Sequence, residues 1–352
     1  MAAWACLAVA AGVPGSAAAG EGFKDPLTTP APANTRLTET QMTAATLAGD
    51  RVIAVGARGV IAYSDDHGET WTQATVPVSI DLLAVTFSSP TMGWAVGHGG
   101  VVLHSADGGQ TWVKQFDGLQ ARDILTSYFQ RKVVEGAPDA QRYLDDVKFS
   151  YSGGPEQALL DVLFLNDKTG YVVGSFGTFF ATHDGGATWE PLVDRVASSY
   201  AVHLNDIESI GGTLFIASEM GVVYRLNRDT GLFEPLKTGY GGSFFTMTGR
   251  GDFLMAFGLR GSAYRSLDGG DTWEATGTEL SSAFANAFML PDGSVLAVAL
   301  AGQAFRFEDQ GATVISVTLQ RPMLLAGGTA TGDGAAVLVG LNGIQKLTLG
   351  PG

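Results

Sequence analysis

Short apolar runs of strand length, punctuated by glycine and polar turns, recur along the chain. The clearest stretch carries LLAVTF, GWAVG, VVLHS and TWVKQ, broken by the polar turns SSPTM and ADGGQ between Leu82 and Gln115. Four strands, A to D, are predicted there. LLDVLF, GYVVG, TFFAT and WEPLV repeat the order, as do SFFTMTG, FLMAFG, SAYRS and TWEAT. Each B–C turn closes on a glycine: Gly59, Gly100, Gly177, Gly221, Gly261, Gly302 and Gly343, at steps of 41, 77, 44, 40, 41 and 41 residues. A period near forty built from short strands predicts an all-β fold, a seven-bladed β-propeller with four-stranded blades.

The long step places a partly helical insertion between blades two and three, at 118–157. Ile124, Leu125, Tyr128, Phe129 and Lys132 recur at spacings of three and four, so a helix is predicted over Asp123–Val134, capped by Asp123, with a second over Pro138–Val147. Blade seven runs out after GIQKLTL, and Thr35–Thr40 is the segment expected to supply its outer strand. The domains read as a signal peptide at 1–19, an N-terminal segment at 20–41 and the propeller at 42–350.

The 352 residues include 48 glycines, and blade-on-blade packing accommodates that length beyond a single core. A formal charge of −14 argues against nucleic acid and against nonspecific attraction to anionic lipid. The first nineteen residues are small and apolar, ending like a signal-peptidase site but lacking a basic start. Cys6, the only cysteine, lies within them, without the preceding leucine of a lipidation site. Export to the periplasm as a soluble monomer is expected.

Four C–D turns share Ser/Thr-x-Asp-x-Gly-x-Thr-Trp, the Asp-box: Asp66 with Trp71, Asp107 with Trp112, Asp184 with Trp189 and Asp268 with Trp273. An Asp that collects turn amides and a Gly that takes positive φ make a hairpin clamp, so these positions read as structural. Decayed versions stand around Asn227–Gly231 and Glu308–Gly311. The B–C turns share the other face with the D–A connections. They set Arg58, His98, Phe176, Glu219, Arg260, Ala301 and Asn342 at equivalent positions near the axis. Arg58 and Arg260 offer forked donors for carboxylates or phosphates. With Arg122 and Arg131 of the insertion and His203 of a D–A connection, these residues, Ala301 excepted, are the partner-binding candidates. The five histidines show no metal-ligand spacing, and no nucleophile elbow or phosphate loop occurs, so no metal, cofactor or catalytic residue is expected.

VGARGVIAYSDDHGETW, GWAVGHGGVVLHSADGGQTW, GYVVGSFGTFFATHDGGATW and FGLRGSAYRSLDGGDTW together resemble the photosystem II stability/assembly-factor family of propellers, in its bacterial, often non-photosynthetic branch. The resemblance implies a non-enzymatic role in holding a membrane-protein complex during assembly. In the bacterial branch it implies association with a transporter subunit of the resistance-nodulation-division type. An arginine-rich surface belongs to the family's role, and only Arg58 and Arg260 suggest a counterpart. The alternative is a carbohydrate-active propeller, sialidase-like or lectin-like, taking a small ligand or glycan and drawing on Tyr200, Tyr240 and Glu219. The sialidase start element Arg-Ile-Pro is missing.

Overall fold

The computed structural model describes residues 24–198 and 201–349. The stretch 1–19 and Tyr200 lie outside the described residues. Seven antiparallel sheets follow one another around a ring. Blade one comprises β1 (Met42–Ala48), β2 (Arg51–Gly56), β3 (Ile61–Ser64) and β4 (Thr72–Gln73), paired in chain order. Strands β5–β8 lie within 82–116, β9–β12 within 159–191, β13–β16 within 204–237, β17–β20 within 244–276 and β21–β24 within 284–317. Blade seven has three, β25–β27, within 325–348. The first strand of each blade lines a central channel, and the apolar core is divided among the seams between blades. At one seam Trp94 of blade two stacks on Phe164 of blade three, 3.5 Å between centroids.

Each Asp-containing turn folds on itself. The Ser64 hydroxyl donates to Asp66 (2.7 Å) and accepts from the Gly68 amide (2.8 Å). Asp66 also takes the Thr70 amide and hydroxyl (2.8 and 2.6 Å), and Trp71 donates its indole N–H to the Gly68 carbonyl (3.1 Å). The same carboxylate contacts recur at Asp107, Asp184 and Asp268. Hydrogen bonds, first those from the hydroxyls of Thr188 and Thr272, pull Asp184 and Asp268 down to about 2. These carboxylates are consumed by their own hairpins.

Two sequence expectations change. Thr35–Thr40 forms no strand: Leu37–Glu39 is a 3-10 turn folded over the start of β27, and a Cβ on Gly343 would overlap the Thr38 carbonyl. The cause is local. Asn34 accepts from the Arg36 amide (2.9 Å) and donates to the Thr40 hydroxyl (2.6 Å), a side-chain network that competes with sheet pairing. Ring closure rests instead on β1 packing against β25 and β26, and on Lys346 bound to Glu69 (3.0 Å).

The insertion helices also start elsewhere. Helix α1 spans Gly118–Val134, and its cap is Asp117, accepting from the amides of Leu119 and Gln120, rather than Asp123. Helix α2 spans Ala140–Ser150. Leu125 and Phe129 of α1 and Leu144 and Val147 of α2 join the seam between blades two and three, so the insertion shares the propeller's core.

Trp112 is buried in the seam between blades one and two, edge-on to Phe87 at 6.0 Å. Trp112→Ala should lower the free energy of urea unfolding by about 3–5 kcal/mol; an unchanged midpoint and slope would contradict the packing role.

Candidate functional site

Backbone geometry sorts the B–C turns. Arg58, Phe176, Met220 and Arg260 all adopt left-handed φ of 54 to 60°, and in blade two this place belongs to Gly99 (φ 65°). The equivalent residues are therefore Arg58, Gly99, Phe176, Met220, Arg260, Ala301 and Asn342. His98 and Glu219 sit one residue earlier, correcting the sequence alignment. Blade two's run of glycines hides the register, and blade four has Ser218 where the first glycine would stand.

The candidates divide into one cluster and several separate positions. The Phe176 ring lies 4.9 Å from that of His203, whose Nδ1 is 3.1 Å from Glu219 Oε2; the His203 amide donates to the same oxygen (2.8 Å). Burial opposes the charge on Glu219, but these His203 contacts hold its carboxyl below the usual range. Arg58 is fixed through its backbone, the amide donating to Asp81 (2.7 Å), which leaves its guanidinium exposed. Arg260 is exposed on blade five, and the Asn342 carbonyl accepts from Arg321. Arg122 is paired with its neighbour Asp123 (2.9 Å). Tyr240, part of the carbohydrate reading, donates its hydroxyl to the Leu259 carbonyl (3.2 Å) and lies tilted against the rings of Phe244 and Tyr264.

The insertion builds two clefts against blade three. One is apolar, with about 80 Å³ of open space lined by Phe129, Tyr143, Val147, Tyr151, Phe176 and Val202 among others. The other, about 610 Å³, runs between α1 and the edge of blade three and is flanked by Arg131 and Arg195. Among the described residues neither arginine has a carboxylate partner, while the adjacent Asp194 is taken by Tyr128 (3.0 Å) and Lys132 (3.4 Å). Arg195 escaped the sequence reading because nothing in PLVDRV marks it as lining a cleft.

The channel holds three acids that the sequence reading also passed over: Asp161, Asp206 and Glu208, all on inner strands. Asp161 accepts from the Ile207 amide of blade four (2.8 Å), and Asp206 from the Met247 amide of blade five (2.7 Å), so two of them stitch neighbouring blades. Burial, reinforced for Asp161 and Glu208 by the charge of Asp206, raises all three: Asp161 well above the ordinary value, Asp206 to about 6 and Glu208 to about 8. No grouping of ligating side chains able to hold a metal occurs among the described residues, and none of their helices is long and apolar enough to cross a membrane.

A group protonated more readily in the folded state stabilises below its unfolded pKa, and that contribution is lost as pH rises through the folded value. Stability should therefore decline between about pH 5 and 8.5, a window above the range where the depressed carboxylates of the Asp turns titrate. Glu208→Gln should melt higher than wild type at pH 8.5 and level with it near pH 4. A constant offset across that range would remove Glu208 as the titrating group.

A family model described as "Photosynthesis system II assembly factor YCF48" matches residues 63–136 and 151–318, more than half of the chain. The interval between the two segments contains α2. The photosystem II assembly lipoprotein Ycf48 of Synechococcus sp. (strain CC9902) is 28% identical over 162 residues, covering 45% of this chain and 48% of the relative. The match thus spans about half the length of that curated relative. Among solved structures, YCF48 bound to D1 peptide superimposes with a TM-score of 0.64 at 17% identity, covering 89% of this chain and 95% of the other. YCF48 from Cyanidioschyzon merolae gives 0.63 at 16% identity, covering 89% and 96%. At those identities the two structures share the fold.

Proposed function

The chain belongs to the photosynthesis system II assembly factor YCF48 family, and from that membership we propose that it is an exported, non-enzymatic propeller that binds a protein segment of a membrane complex as an assembly or accessory factor. The observation that carries this reading is the insertion, fastened into the core and forming two clefts against blade three. One cleft is apolar and the other bears two arginines free of carboxylates among the described residues, a combination suited to an extended chain with apolar and acidic side chains. The solved relative whose description includes a D1 peptide supports a peptide as the kind of ligand. The remaining candidates, Arg58, His98, Phe176, His203, Glu219, Arg260, Asn342 and Arg122, would form the surrounding contact surface. A photosystem-like complex or a transporter subunit of the periplasm would both supply such a segment.

A carbohydrate-active reading would draw on a carboxylate pair free to act at the channel mouth. Asp161 and Asp206 are engaged with backbone amides and Glu219 with His203, which weighs against it.

Capture from detergent-solubilised envelope, quantified by mass spectrometry, tests the proposal. Arg131→Glu with Arg195→Glu should reduce a stoichiometric membrane-protein partner by about tenfold with an unchanged melting temperature. Arg250→Glu, on the opposite face, serves as the charge-reversal control and should retain the partner. Equal recovery in all three preparations would exclude the arginine cleft.

A further inference from the structure

Beyond the protein partner, we infer that the B–C face seats this molecule on a lipid bilayer through an arc of apolar turn tips. In blades three to seven the B–C turns carry Phe176, Met220, Leu259, Leu300 and Leu341, each between 40% and 59% exposed. Exposed apolar residues scattered singly are ordinary on protein surfaces. These five stand on consecutive blades, on one face, within one residue of the same place in the repeat. Two of them also sit where the backbone disfavours them: Phe176 and Met220 hold φ of 54° and 60° in a position that blade two fills with Gly99. The turn itself does not require a large side chain there.

The arrangement indicates what the tips meet. Each projects from its own turn, and Phe176 also lines the apolar cleft. Separate projections held at one level by a rigid ring match a flat, deformable apolar layer better than the rigid relief of a folded partner. The chain's path agrees. The Ser79 amide, between blades one and two, donates to the Pro26 carbonyl (2.8 Å), and Leu27 packs beside Gly99. The described polypeptide therefore enters on this same face, at the two blades that lack apolar tips. With a charge of −14, neutral headgroups are the favoured surface.

Co-flotation of the full chain with phosphatidylcholine vesicles is the test. Wild type should float with the vesicles, and Leu259→Asn/Leu300→Asn/Leu341→Asn should reduce the bound fraction about tenfold. Met220→Asn/Leu300→Asn, at two well-exposed tips, should act in the same direction with an unaltered melting temperature, which separates lost seating from lost folding. Adding phosphatidylglycerol should not increase binding. The inference is overturned if wild type stays in the dense fraction, if folded variants float as well as wild type, or if anionic lipid is required. Because the vesicles contain no protein, these outcomes are independent of whether the arginine cleft captures its partner.

Discussion

Close backbone approach at one end of each blade is the constraint on which the architecture depends. A Cβ on Gly56 would overlap the Gln41 carbonyl, and one on Gly97 would overlap the Asp81 carbonyl, so the chain entering the inner strand can cross the end of the second only where no side chain intervenes. The following glycines admit the D–A loops in the same way at most blades. That steric requirement recurs at five of the seven blades, with Ser218 and Ala299 standing in the place in blades four and six, and it marks which loops share a face. The candidate contact residues, the insertion and the apolar turn tips occupy that crowded end. The Asp turns, whose carboxylates are satisfied internally, occupy the other.

Steric and local hydrogen-bonding requirements leave clear traces in sequence, which is why the seven blades and the Asp66-type clamps were legible there. Register within a turn was less so: Gly97-His98-Gly99-Gly100 offers several glycines, and only φ shows that Gly99, not His98, matches Arg58. Asp117 went unnoticed as a helix cap because it directly follows strand β8, whereas Asp123 stands before a clear apolar period. Thr35–Thr40 is expected as a strand only from the need to complete blade seven, and Asn34 redirects it through its own hydrogen bonds. The channel acids were visible as charges inside apolar inner strands, in LLDVLF and LNDIESI, but their blade-to-blade amide partners belong to tertiary structure.

The insertion shows how a repeat scaffold acquires an individual surface. Phe129 of α1 stacks on Tyr143 of α2 at 5.0 Å, and both helices share their apolar cluster with blades two and three. The clefts are therefore held by core packing rather than by loop conformation alone, and α2 falls in the interval that the family match leaves out. Cleft walls of this kind can diverge while the ring beneath them stays constant.

The three-stranded last blade has a kinetic consequence. Lys346 and Glu69, which meet across the closing seam, are separated by 277 residues, and the turn at Leu37–Glu39 lies against a strand that begins only at Gly343. Early blades can pack on their neighbours as they are made, but the seam between the two ends has no partner until nearly the whole chain exists. Until then blade one presents an open apolar flank, and the ring's last contacts carry the largest loop-closure cost in the molecule. A chain that loses its final blade thus loses closure itself, leaving an open stack of blades where a ring should be.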